Sequence, residues 1–170
     1  VPALMATGAV HHRLVESGLR CDANIIVKTG SARDPHQIAV LLGFGATAVY
    51  PYLAYQVLDS LIASGELLGD PSVAFSNYRK GVNKGLLKIL SKMGISTIAS
   101  YRGAQLFEAV GIAANVIDLC FRGVQSRIGG ASFEDFENDQ RALVAFAAKK
   151  RKPIGQGGLL KYCLLYTSPS

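Results

Sequence analysis

Apolar residues recur at helical spacing in the middle of the chain, over residues 77–93. Lysines that recur every four residues form a second face of this predicted helix: Lys80, Lys84, Lys88 and Lys92. Gly94 is expected to end the helix, and the β-branched run at 95–99 predicts a short buried strand. Ser100 is a candidate N-cap for a second helix over residues 101–110. This order predicts an α/β layer, in which ligands usually bind at the carboxyl ends of the strands.

The pattern in the first half of the chain predicts two strands joined by a helix. Residues 24–28 and 46–50 are short apolar runs, which are typical of parallel strands buried on both faces. Between them, residues 35–42 predict a helix with Asp34 as its N-cap and Pro35 in its first turn. Such a unit predicts a parallel pair with a right-handed crossover. Further helices are predicted at residues 2–19, 51–64, 113–121 and 137–149, with a glycine-rich, mixed-charge exit segment at 122–139.

Together these elements predict an α/β fold that is rich in helix and has a short, mostly parallel sheet built from βαβ units. The three predicted strands, at residues 24–28, 46–50 and 95–99, are too few for a closed barrel, which needs about eight. The predicted architecture is therefore an incomplete, barrel-like domain.

Composition narrows the class of protein. The 170 residues are 49% hydrophobic, which indicates a globular chain, and they contain no apolar run of the ~20 residues that a membrane span needs. Without an initiator Met or a charged leader, the chain is expected to begin inside a longer protein and to carry no signal peptide. Cys21, Cys120 and Cys163 form no CxxC pair or metal-ligand spacing, so reduced thiols and a cytoplasmic location are expected.

The net charge of +6 raises the hypothesis of nucleic-acid binding. Much of the excess lies on the lysine face and in the basic run at 149–152, and neither is interleaved with aromatic residues. A solvated face, or a contact with an acidic neighbouring domain, is the better interpretation. A nucleic-acid partner ranks last among the functions considered, and no membrane partner is expected.

The loop at residues 29–33 is a candidate anion site, because it combines a glycine, a hydroxyl and a guanidinium before a helix N-terminus: Gly30, Ser31 and Arg33. It has no GxGxxG or P-loop pattern, and a purely structural loop is the alternative. The tyrosines at 50, 52 and 55 are predicted to pack together rather than bind a ligand. His11 and His12 point about 100° apart on their predicted helix, so a metal site is not expected there.

Three blocks carry a family resemblance: NKGLLK at 83–88, SKMGIST at 91–97 and SYRGAQ at 100–105. In order and spacing they resemble the central domain of the large chain of glutamate synthase, and the resemblance extends over residues 1–162. It implies part of that central domain at 1–131 and a linker towards the FMN-binding domain at 132–162. Residues 163–170 instead resemble a translated sequencing adapter and are expected to be an artefact.

The resemblance implies a parent enzyme that makes two glutamates from glutamine, 2-oxoglutarate and a reductant. Its FMN, its iron–sulfur cluster and its N-terminal catalytic cysteine cannot be placed on this chain, so the fragment alone is predicted to be inactive and to bind no cofactor. The implied role is a structural connector between the amidotransferase and FMN domains that helps to shape the ammonia route. The parent would take electrons from a small NADPH-linked subunit or from ferredoxin.

Small and hydroxyl side chains suit a wall that excludes water, and Tyr, Arg and Gln can hold a neighbouring domain by directional hydrogen bonds. The candidate interdomain or channel contacts are Lys92, Ser96, Ser100, Tyr101, Arg102 and Gln105. The alternatives are that Arg102 caps its own helix environment and that Gln105 faces water. A different function, a stand-alone α/β module that binds phosphate or another anion at residues 30–33, would require a self-sufficient sheet and a pocket at that loop.

Overall fold

The computed structural model describes residues 1–149. The chain forms two parallel βαβ units separated by three helices, with one helix before the first unit and one after the second. The elements are α1 Ala3–Glu16, β1 Ile26–Lys28, α2 Pro35–Gly43, β2 Ala48–Tyr50, α3 Tyr52–Ala63, α4 Pro71–Lys92, α5 Ile98–Tyr101, β3 Glu108–Ile112, α6 Ala114–Cys120, β4 Gln125–Ala131 and α7 Phe133–Ala148.

The first unit, β1–α2–β2, has the predicted order and parallel pairing, but each strand begins two residues later than predicted. The prediction that both faces of these strands are buried is wrong, because the first and last residues of each strand are exposed. β1 pairs in parallel with β2 in an unbroken register, with Val27 opposite Val49. Asp34 caps α2 through a complete capping box with Gln37, and Pro35 opens the helix. Apolar residues of α2 and β1 form the core of this unit because α2 lies directly over the strand pair.

The second unit, β3–α6–β4, was not predicted apart from its helix. The expected strand at 95–99 and the expected helix at 101–110 are both wrong. Thr97, not Ser100, is the N-cap of the short α5, because its side chain accepts the Ser100 backbone N–H. The backbone leaves helical geometry at Arg102 and turns at Gly103 (φ 70°). Strand β3 then pairs in parallel with β4, which lies inside the predicted exit segment.

Helix boundaries depart from prediction where a capping residue was overlooked. Asp70 accepts the Ser72 N–H and Pro71 follows it, so α4 begins before residue 77. Ser132 and Asp135 form a capping box, so α7 begins before residue 137. The α/β class is confirmed, and the helix-rich character with it. Residues 1–149 hold two two-stranded parallel sheets and no closed barrel.

Helix α1 lies between the two units. Ala3, Leu4 and Leu14 pack against the core of the first unit, whereas Met5 belongs to the core of the second. Gly8 lies directly against the main-chain carbonyl of Cys120, so α1 and α6 cross at backbone distance. The two units therefore share one helix as their common packing surface.

No helix among residues 1–149 is long and apolar enough to cross a membrane. Three predictions fall partly or wholly outside the described residues: the end of the basic run at 149–152, the approach to an FMN-binding domain at 152–162, and the adapter-like tail at 163–170.

Candidate interdomain surface

The segment from the end of α4 to the loop before β3, residues 91–105, carries all six predicted contact residues. We call it the α4–β3 surface. After Lys92, Gly94 (φ 68°) reverses the chain in a left-handed conformation that glycine adopts without strain. The hydroxyls of Thr97 and Ser100 then lie 2.9 Å apart across the first turn of α5. The segment is thus a defined turn–helix–turn.

Three contacts anchor this surface to the rest of the chain. The Tyr101 side chain is 3% exposed and packs edge-on against Phe107, with ring centroids 6.2 Å apart. The Gly103 N–H donates to the Gly43 carbonyl at 3.0 Å, at the end of α2. Gly43 has no space for a side chain, since a Cβ there would lie 2.6 Å from the Phe107 ring. These contacts hold the segment against α2, and the exposed side chains of the segment take no part in them.

The predicted contact residues divide into exposed and anchored groups. The exposed ones are Lys92, Ser96, Ser100 and Gln105. Gln105 also adopts φ 51°, which is uncommon for a residue with a side chain and costs on the order of 1 kcal/mol. Tyr101 lies in the core of this chain, where burial raises the pKa of its hydroxyl. That these residues contact another domain stays a prediction.

Arg102 is half-buried and reaches from this surface towards the loop between α2 and β2. Its Nη2 donates to the Ala46 carbonyl at 3.4 Å. Its Nε is buried and has no hydrogen-bond partner among residues 1–149. Sequence analysis missed the neighbouring Arg20, whose Nη2 donates to the Gly45 carbonyl at 2.9 Å. No sequence signal could have found this pair, because the contacts span distant parts of the chain.

His11 completes this basic cluster. Its Nδ1 accepts a hydrogen bond from Arg20 Nε at 3.0 Å, so the ring is held in its neutral form. Burial lowers the pKa of His11, and the charges of Arg20, His12 and Arg102 lower it further. Burial also lowers the pKa of His12, with the charge of Arg122 acting in the same direction and Glu16 opposing it. The adjacent histidines therefore face different surroundings.

The candidate anion loop uses several of its donors internally. The Ser31 N–H donates to Thr29 Oγ1 at 3.1 Å, and the Arg33 N–H donates to Gln37 Oε1 at 2.7 Å. The N-terminus of α2 is already capped by the Asp34 carboxylate. Gly30 packs against the Tyr52 ring, which would lie 3.2 Å from a Cβ there. Anion binding at Gly30, Ser31 and Arg33 stays a prediction, and the loop has the contacts of a structural turn.

Two of the three tyrosines in the predicted cluster pack together, whereas Tyr52 lies against Gly30 and Lys28. Tyr55 stacks on Tyr50 with ring centroids 5.8 Å apart and contacts Phe75 and Tyr78 edge-on. The Tyr78 hydroxyl donates to the Arg33 carbonyl at 2.8 Å, which ties α4 to the loop before α2. These rings hold α3 and α4 against the first unit.

Groups able to perform chemistry are isolated from one another in the described part of the chain. Cys120 is buried, and this burial raises the pKa of its thiol, so the unreactive neutral form is favoured. Cys21 is exposed. Among residues 1–149, no three His, Cys, Asp or Glu side chains lie close enough to hold a metal ion.

The sequence was compared with known families and proteins. A family described as the glutamate synthase central domain matches residues 1–113. The chain is similar to the NADPH-type glutamate synthase large chain of Bacillus subtilis (47% identity, covering 79% of this chain and 9% of the relative). It is also similar to the ferredoxin-dependent glutamate synthase of Pyropia yezoensis (40%, covering 95% and 11%) and to ferredoxin-dependent glutamate synthase 2 of Synechocystis (45%, covering 91% and 11%). The chain spans about a tenth of the length of these relatives.

Proposed function

The chain belongs to the glutamate synthase central-domain family, and from this premise we propose that it is the structural connector between the amidotransferase and FMN domains of a longer polypeptide. The parent enzyme converts glutamine and 2-oxoglutarate into two glutamates. It receives electrons from a small NADPH-linked subunit or from ferredoxin. Within it, residues 1–131 are part of the central domain and residues 132–162 are the linker, and the enzyme is cytoplasmic.

The observation that carries this proposal is that the α4–β3 surface packs against the core of the chain on one side and is exposed to solvent on the other. Tyr101 and Gly103 hold it to the core, whereas Ser96 and Ser100 point to solvent. A surface whose backbone is already held in place and whose polar side chains are exposed is suited to dock a neighbouring domain, because part of the ordering cost has already been met.

The same surface has the chemistry that a wall of an ammonia route needs. Ammonia reacts as a nucleophile only while unprotonated, so a wall should offer no acidic proton to it. Residues 91–105 contain no Asp, Glu or His, and the exposed side chains at α5 include the small Ala99 and the neutral hydroxyls of Thr97 and Ser100. The Thr97 and Ser100 hydroxyls are already bonded to each other. We therefore assign this segment to the ammonia route.

FMN and the iron–sulfur cluster belong to other parts of the parent. A flavin phosphate does not fit the loop at residues 29–33, because Asp34 already places a carboxylate at the N-terminus of α2. An iron–sulfur cluster needs several cysteines together, whereas Cys120 is buried in the core and Cys21 lies exposed. The chain accordingly contributes positioning rather than catalysis.

The test uses the full parent enzyme with a bulky residue introduced at the α4–β3 surface. We expect Ser96→Trp and Ser100→Trp to leave glutamine hydrolysis active while the glutamate formed from 2-oxoglutarate per glutamine hydrolysed falls about tenfold, with free ammonia released. The matched control is Asn77→Trp, an exposed position on α4 outside the surface. Full coupling in both serine variants would overturn the proposal.

A further inference from the structure

The first βαβ unit leaves one edge of β1 without a partner. The Ile25 carbonyl accepts from Thr47 N–H at 2.7 Å, and the Thr29 N–H donates to the Tyr50 carbonyl at 3.1 Å. Main-chain groups alternate in direction along a strand, so those of Ile26 and Lys28 point to the opposite edge. In the described part of the chain, β2 is the one strand that pairs with β1.

Helix α1 has the position of a crossover helix that would deliver a strand to this edge. It packs against the same core as α2 through Ala3, Leu4 and Leu14, and therefore covers the same face of the sheet. It directly precedes β1, as α2 precedes β2. In α/β units about 98% of parallel crossovers are right-handed, which places the strand before such a helix beside the strand after it.

A groove of about 1000 Å³ runs along the free edge and is open to accept such a strand. The groove is lined by residues 24–31 and by the apolar side of α1, together with Val1, Pro2, Tyr52 and Gln140. The crossover that α2 makes between the parallel strands β1 and β2 gives the expected direction, because α1 packs on the same core and leads into β1 as α2 leads into β2. A strand that leads into α1 would consequently run parallel to β1.

The face of β1 that points away from the core is also exposed among the described residues. Ile26 is 70% exposed, although strands of parallel sheets are usually covered on both faces. By contrast, β4 in the second unit presents Arg127, which pairs with Glu108 on β3 at 3.7 Å. Charged side chains protect exposed strands from pairing, and β1 has only Lys28 for this purpose.

We propose that the free edge of β1 binds a parallel strand contributed by the polypeptide that precedes α1 in the longer protein. The strand pairs with the main chain of Ile26 and Lys28 and covers the groove between β1 and α1. Its side chains facing α1 are apolar, to match Leu4, Val10 and Leu14. The inference rests on the proposed function only in that the chain must lie within a longer polypeptide.

Amide hydrogen exchange in the full parent protein tests the pairing residue by residue. We expect the amides of Ile26 and Lys28 to exchange at least about a hundredfold more slowly in the parent than in the 170-residue chain. Thr29, which bonds to β2, serves as the internal control and is protected in both. Equal exchange of Ile26 and Lys28 in the two proteins would overturn the proposal. Protection that rises with the concentration of the 170-residue chain would assign the edge to a second copy instead, and would also overturn it.

A pair of substitutions at one position separates pairing from side-chain packing. Lys28→Pro removes the N–H at the free edge, whereas Lys28→Ala keeps it and removes only the side chain that lies over the Tyr52 ring. In the parent we expect Lys28→Pro to speed exchange at Ile26 at least about tenfold, and Lys28→Ala to leave it unchanged. The same rate in both variants would contradict the proposal. Coupling of glutamine hydrolysis to glutamate synthesis depends on the α4–β3 surface, so either proposal can fail without the other.

Discussion

The two βαβ units have the same topology but reach it by different means. In the first, β1 and β2 pair without interruption, and α2 has a complete capping box and buries most of its apolar side chains. In the second, the β3–β4 register shifts twice, α6 has no side-chain cap, and six of the seven β4 residues are exposed. The first unit therefore has the more regular strand pairing and helix capping, whereas the second depends more on close backbone contact between its strands.

The largest expected difference between the units lies in their crossover helices. Leu42 of α2 is 6% exposed, so Leu42→Ala should lower the free energy of unfolding by about 3 kcal/mol through lost burial and a residual cavity. Leu119 of α6 is 55% exposed, and Leu119→Ala should change the free energy of unfolding by less than about 0.5 kcal/mol. Urea unfolding of the two variants measures both. Similar losses at the two positions would show that Leu119 contributes as much buried surface as Leu42.

The adjacent glycines of β4 test whether backbone proximity holds the second unit together. A Cβ on Gly130 would collide with the Gly111 main chain of β3, whereas one on Gly129 meets nothing within 4 Å. We expect Gly130→Ala to cost about 2 kcal/mol of unfolding free energy and Gly129→Ala to be nearly neutral. If both alanines are tolerated equally, the close approach is not what fixes this pair of strands.

The helix caps provide a smaller contrast. Asp34 and Gln37 satisfy the first turn of α2, so Asp34→Ala should cost about 1 kcal/mol in chemical unfolding. Ala113 occupies the N-cap of α6 with no side-chain hydrogen bond, so Ala113→Ser should stabilise by up to about 1 kcal/mol. The prediction is tested by whether the two substitutions change the free energy of unfolding in opposite directions. Destabilisation by the serine would mean that the turn between β3 and α6 cannot accommodate a cap.

The same contrast explains which parts of the fold could be predicted from sequence. Strands β1 and β2 are apolar runs bounded by polar and glycine residues, and α2 begins with Asp34 and Pro35, so local patterns specify the first unit. Strand β4 contains Gly129 and Gly130 and no buried residue, so its local pattern carries no strand signal. Its structure follows from pairing with β3, a contact that hydrophobic periodicity does not encode.

The α4–β3 surface was predicted as the candidate site from family resemblance, although its local structure was predicted wrongly. The β-branched residues at 95–99 indicated a strand by propensity alone. The Thr97 cap and the anchoring of Tyr101 beneath α2 override that propensity and give a helical turn. The basic cluster of Arg20, His11 and Arg102 could not be predicted, because it joins α1 and the turn after it to a residue that follows α5.

The smallest expected effect concerns the pH dependence of the link between α1 and the first unit. His11 accepts a hydrogen bond from Arg20 only while Nδ1 is unprotonated, and burial lowers the pKa of His11 in the folded chain. The unfolded chain therefore binds a proton at higher pH than the folded chain does. Stability from this group is present above the ordinary pKa of 6.5 and is lost as pH falls below it towards the lowered folded value.

Replacement by asparagine retains an acceptor near Nδ1 without a titrating ring, so His11→Asn should flatten the decline in unfolding free energy between about pH 6.5 and 5. His12→Asn leaves the Arg20 bond intact and measures the separate contribution of His12, whose pKa burial also lowers. An unchanged slope in His11→Asn would mean that this decline comes from groups outside the cluster, and that the bond between His11 and Arg20 adds no pH-dependent stability to the first unit.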